Sequence, residues 1–90
     1  MDIKSILDNF KGITEQYEVR RTLDVVIRDE SYRVEILYCY SNPNARWTAE
    51  VYRRGEQGWD FFEDFPWVAD RDEEAAIRSA LNFLQERAGN

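Results

Sequence analysis

Tyr32-Arg33-Val34-Glu35-Ile36-Leu37-Tyr38-Cys39-Tyr40 decides the fold. Tyr32, Val34, Ile36, Tyr38 and Tyr40 fall on one side of an extended chain, and Arg33, Glu35, Leu37 and Cys39 on the other. Period-two alternation in aromatic and β-branched residues is the signature of a strand. Upstream, Tyr17, Val19, Leu23, Val25 and Ile27 alternate with Glu18, Arg20, Thr22, Asp24 and Arg28, a second strand with one apolar face. Arg21 interrupts its inward set, and Asp29-Glu30-Ser31 is the expected turn. Downstream, Ser41-Asn42-Pro43-Asn44 is a strong turn signal. Trp47, Ala49 and Val51 then face inward on a third strand, with Arg46, Thr48, Glu50 and Tyr52 opposite. Gly55 and Gly58 bracket another turn, and Trp59 to Phe62 reads as a short fourth strand or a connector over the core.

Helical spacing flanks the strands on both sides. Ile3, Ile6, Leu7 and Phe10 predict a short amphipathic helix over residues 2 to 11, with Asp2 as cap and Gly12 as stop. Asp70-Arg71-Asp72-Glu73 has the residue types of a capping box, with Asp70 as the cap and Glu73 reaching back. Ile77, Ala80, Leu81, Leu84 and Ala88 form one stripe after it, and Gly89 ends the helix. The expected architecture is a single compact α+β domain over residues 1–90, ordered α-β-β-β-(β)-α. Its antiparallel sheet carries both helices on one face and leaves a mixed-charge face to water. That order resembles the double-stranded-RNA-binding domain.

The chain holds 12 basic and 18 acidic residues, a formal charge of -6. Residues 59 to 74 contain seven acids (Asp60, Glu63, Asp64, Asp70, Asp72, Glu73, Glu74) and one base, Arg71. That block therefore carries -6, and the other eleven acids and eleven bases cancel. The same block holds Trp59, Phe61, Phe62, Phe65 and Trp67. An acidic balance disfavours broad affinity for nucleic acid or membrane surfaces, both anionic, and suits a basic protein partner. One cysteine, Cys39, excludes an intramolecular disulfide. No apolar stretch approaches the roughly 20 residues of a membrane span. Met1-Asp2-Ile3-Lys4-Ser5 lacks the basic start and apolar run of a signal peptide, so a cytoplasmic location is expected.

Chemistry of other kinds finds few residues. Without histidine the commonest general base is absent. Cys39 reads as a buried, inert thiol, and no phosphate-cradling loop or nucleophile elbow occurs. Adjacent Glu63 and Asp64 on an extended chain point apart rather than converge. The acids do not follow the spacing of a calcium loop, and one cysteine cannot build a zinc site. The expectation is a non-enzymatic chain with no cofactor and no metal.

Two binding surfaces remain. Trp59, Phe62, Glu63, Asp64 and Trp67 could meet a basic or amphipathic protein, with Phe62 and Trp67 partly exposed and the other aromatics closing the end of the core. Such a domain would act as an adaptor, an immunity-type inhibitor or a chaperone. The alternative is a nucleic-acid module using Arg28, Arg33, Arg53 and Arg54, expected to meet at one end of the sheet. Against it, the start of the second helix, lysine-rich in the double-stranded-RNA family, reads Asp70-Arg71-Asp72-Glu73-Glu74 here. Val26, Leu37 and Tyr52 on the open sheet face could also seed a weak homodimer.

Val51-Tyr52, Gly55, Phe61-Phe62, Phe65-Pro66 and Glu73-Glu74-Ala75 together resemble the core of HicB-type antitoxins. The Pro-Gly turn usual in that family is missing and no DNA-binding tail follows, so no site residue is carried over from it.

Overall fold

Four strands form one antiparallel sheet in the order of the chain: β1 (Tyr17–Ile27), β2 (Glu30–Cys39), β3 (Trp47–Gly55) and β4 (Gly58–Phe61). Helix α1 (Ile3–Leu7) precedes them and α2 (Glu73–Ala88) follows. This computed structural model describes residues 2–67 and 69–88. The α+β architecture expected from the sequence is present. The Gly89 stop expected for α2 lies outside the described residues.

Helix α2 packs on β3 and β2. Its Ala76, Ala80 and Leu84 are fully buried against Tyr32, Val34, Ile36, Ala49 and Val51. Two alanines four residues apart place little bulk on the buried side of the helix, so its backbone can lie close to the strands. Ile77, Leu81 and Phe83 flank them, half-buried. The expected stripe omitted Ala76 and Phe83. The larger departure is α1, expected beside α2 on one face of the sheet: it spans five residues and buries none of them, with Ile3 and Leu7 half-buried and Ile6 and Phe10 exposed. Its cap is as expected, with Asp2 accepting from the Lys4 amide at 3.1 Å and the Ser5 hydroxyl at 2.8 Å. Those bonds hold the Asp2 carboxyl below its usual pKa.

β1 is not one continuous face. The pairing runs Val19 with Leu37 but Arg21 with Ile36, so Arg20 is an extra residue, a β-bulge. The slip turns Tyr17 and Val19 to the open face, 44% and 48% exposed, while Leu23 pairs with Val34 on the helix face. Alternation in sequence cannot reveal such a slip, because one inserted residue reverses every side chain beyond it. Arg21 then faces α2 and binds Glu73 at 2.6 Å.

The expected turn at Asp29-Glu30-Ser31 is one residue earlier and tighter. Arg28 and Asp29 form it alone, with φ of 50° and 67°. A two-residue hairpin matched to strand twist needs both residues left-handed, and asparagine or glycine usually sits there. Each non-glycine residue in that region costs about 1–2 kcal/mol. The cap of α2 also moves. Asp72, not Asp70, accepts from the Ala75 amide at 2.8 Å, and Glu73 is engaged by Arg21. Asp70 instead bridges to the start of β3, its amide donating to the Trp47 carbonyl at 2.7 Å.

Leu37, Cys39 and Thr48 are buried on the sheet face opposite α2. The Thr48 hydroxyl has no hydrogen-bond partner among the described residues. A buried hydroxyl without a partner costs its desolvation. Thr48→Val, nearly the same shape, is therefore expected to stabilise the fold by about 1 kcal/mol, read as a higher urea midpoint with unchanged slope.

Candidate functional site

The aromatic-acidic block does not stay together. β4 turns Trp59 and Phe61 to the open face, and the chain after it turns Phe62 and Phe65 to the core. Phe61 is 51% exposed and meets Tyr52 at 5.5 Å between ring centroids, where closure of the core was expected. Two guanidinium groups approach the Trp59 ring, Arg33 at 4.4 Å and Arg54 at 5.6 Å from its centre. Phe62 stacks near Tyr32 at 6.2 Å and meets the edge of Phe83 at 5.7 Å. Phe65 meets Phe83 at 4.9 Å. The expectation of a partly exposed Phe62 is thus met by a half-buried ring packed on the core, and Trp67 is 58% exposed.

Phe62 to Trp67 lies along α2. The Phe62 amide donates to the Val51 carbonyl at 2.9 Å, which anchors its start. Asp64 pairs with Arg87 on α2, and the Arg87 guanidinium covers Phe83 at 5.0 Å. Between this connector and the helix runs a groove of about 310 Å³, lined by Phe65, Pro66, Ser79, Asn82, Phe83 and Glu86. Trp67 follows Pro66 directly. Glu63 is exposed and makes no ion pair among the described residues. The groove is apolar at its floor, with Glu86 in its lining. Of the five residues proposed from sequence, Trp59 is on the other sheet face and Asp64 is engaged internally.

The four arginines of the alternative surface divide as well. Arg33 forms a two-pronged pair with Asp24, at 2.8 and 3.1 Å, on the open face. That pairing holds the Asp24 carboxyl below its usual pKa. Arg54 stands on the same face beside Trp59. Arg53 pairs with Tyr32 in register and lines a different cleft together with Arg28.

Two features were not legible beforehand. Bulged Arg20 lies over Tyr38 at 4.4 Å, its Nη2 donating to the Tyr40 hydroxyl at 3.1 Å, with Trp47 beside them and Glu18 as its ion partner. Only the register slip brings them together. On the open face Glu35 sits directly opposite Glu50, and Tyr52 donates to Glu50 at 2.6 Å. Burial, then that hydrogen bond and the two carboxylates, raises the Tyr52 phenol well above its ordinary value. A folded pKa above the unfolded one contributes stability below pH about 10 that is lost as pH rises further. Absorbance at 295 nm should therefore show one late-ionising phenol fewer in Tyr52→Phe than in wild type, with those of Tyr17 and Tyr32, also raised, retained.

Cys39 is buried, with its sulfur 3.2 Å from the Ser41 hydroxyl. Burial pushes the thiol up, but hydrogen bonds from Ser41 and its neighbours outweigh this and hold it below the usual value. Leu37, expected to be available for self-association, is 8% exposed, whereas Val26 is 70% exposed. Among the described residues no three histidine, cysteine or acidic side chains are grouped to hold a metal ion, and no helix is long and apolar enough to cross a membrane.

No protein-family model matches the chain, and no curated protein or solved structure is significantly similar to it.

Proposed function

We propose that this domain binds a basic, amphipathic segment of another protein along the connector and α2. The observation that carries the reading is Trp67, 58% exposed, directly after Pro66 of an apolar groove whose lining includes Glu86. A large aromatic held in water is a common energetic centre of an interface. The groove would take one apolar side chain of the partner, and Glu63 and Glu86 would attract its lysines or arginines. Trp59 and Asp64, included in the sequence-based set, are less suited: one is approached by two arginines and the other is bound to Arg87. No catalytic group or cofactor is invoked. The nucleic-acid reading has weaker support, since Arg33 is committed to Asp24 and the four arginines, although at one end of the sheet, divide between its two faces.

Affinity capture from a native lysate tests the proposal, with wild type beside a folded Glu63→Gln/Trp67→Ala variant. A basic protein retained by wild type and lost by the variant supports it. Identical retention by both baits overturns it.

A further inference from the structure

The cleft at the far end of α2 has the opposite chemistry to the rest of this acidic chain. It has a volume of about 330 Å³, at the small end of ligand sites. Half-buried Ile27 and Phe62 and buried Tyr32 form its apolar part, and exposed Arg28, Arg53 and Arg87 stand around them. Glu30, the one acid among its described lining residues, accepts a hydrogen bond from the Tyr32 hydroxyl at 2.7 Å. Arg87 is held by Asp64, but Arg28 and Arg53 make no ion pair among the described residues. Arg28 also occupies a left-handed turn position, φ 50°, that asparagine or glycine would fill with less strain. A strained residue that brings a guanidinium to a cleft is a reason to look for function there.

We infer that this cleft binds a small organic anion: a phosphate or carboxylate head on an apolar body about the size of one ring. The guanidinium forks of Arg28 and Arg53 match the oxygen geometry of either head. Ile27 and Phe62 cover the apolar body, and Arg87, already placed over Phe62 at 5.9 Å, closes one side. The C-terminal carbonyls of α2 lie nearby at Ala88, and their partial negative charge is the competing use for the same arginines.

The test is a titration of the isotope-labelled full chain with phenyl phosphate and with benzoate, followed by amide resonances, with phenol and inorganic phosphate as controls. Saturable movement of Ile27, Arg28, Arg53 and Phe62 is expected, without movement at Arg20 or Arg46. It should weaken with added salt, and phenol should not reproduce it. Tighter binding of phenyl phosphate than benzoate assigns a phosphate head, and the reverse a carboxylate head. Arg28→Asn/Asp29→Gly should melt at a higher temperature yet bind about tenfold more weakly. Arg53→Gln should lose affinity by a similar factor. The inference fails if phenol moves the same resonances equally, or if nothing saturates by about 10 mM, a negligible affinity. It also fails if both variants bind as wild type, which would leave the arginines as supports for the end of α2.

Discussion

Leu84→Ala should destabilise the domain by about 2–5 kcal/mol, the range for truncating a buried leucine. Leu84 has no exposed surface and lies on α2 in the cluster formed with Val34, Ile36 and Val51. The loss has two parts: the transfer energy of the removed methyl groups, and a cavity that the surrounding strands fill only in part. α2 has 16 residues and would be only marginally stable by itself, so its helicity depends on this face. A domain of this length has about 5–10 kcal/mol in total, so the variant should melt at least about 8 °C lower. Urea unfolding followed by circular dichroism measures it. Gln85→Ala, on the exposed side of the same turn, should stay within about 0.5 kcal/mol of wild type. A Leu84→Ala loss below about 1 kcal/mol would mean that α2 is not packed as described.

Trp67→Ala should have the reverse profile: stability almost unchanged and partner binding lost. At 58% exposure the indole contributes little to the core. In a desolvated interface a tryptophan truncation costs about 2–4 kcal/mol, a 30- to 1,000-fold loss in affinity. Glu63→Gln should act differently, slowing association several-fold and flattening its salt dependence, because an exposed charge steers encounter more than it holds the complex. Surface plasmon resonance with the captured partner separates the two, with Trp67 expected in the dissociation rate and Glu63 in the association rate. Equal binding by Trp67→Ala would remove the indole from the interface and return this segment to a purely structural role.

The division of the aromatic block explains why the candidate surface was only partly legible. Trp59, Phe61, Phe62, Phe65 and Trp67 are equivalent in composition. Their destinations depend on where β4 stops and on the Phe62 amide meeting Val51. Once β4 ends at Phe61, pairing places Trp59 and Phe61 on the open face, and the chain is free to turn Phe62 and Phe65 toward Phe83. The arginines show the same limit. Arg53 and Arg54 share one end of the sheet but point to opposite faces of β3, so a common end did not make a common surface.

By itself the sequence determined the α+β class, the inward residues of β2 and β3, and the position of α2, because burial imposes a period of two on strands and 3.6 on helices. It also located the acidic excess, which is a matter of composition. The tertiary structure alone decided the slip at Arg20, the lack of buried residues in α1, the replacement of Asp70 by Asp72 as cap, and the fate of each aromatic. These outcomes depend on which distant group competes for a side chain: Arg21 takes Glu73, Trp47 takes the Asp70 amide, and Arg87 takes Asp64. A local pattern carries no record of such partners, since they are brought together only when the sheet and α2 close on one core.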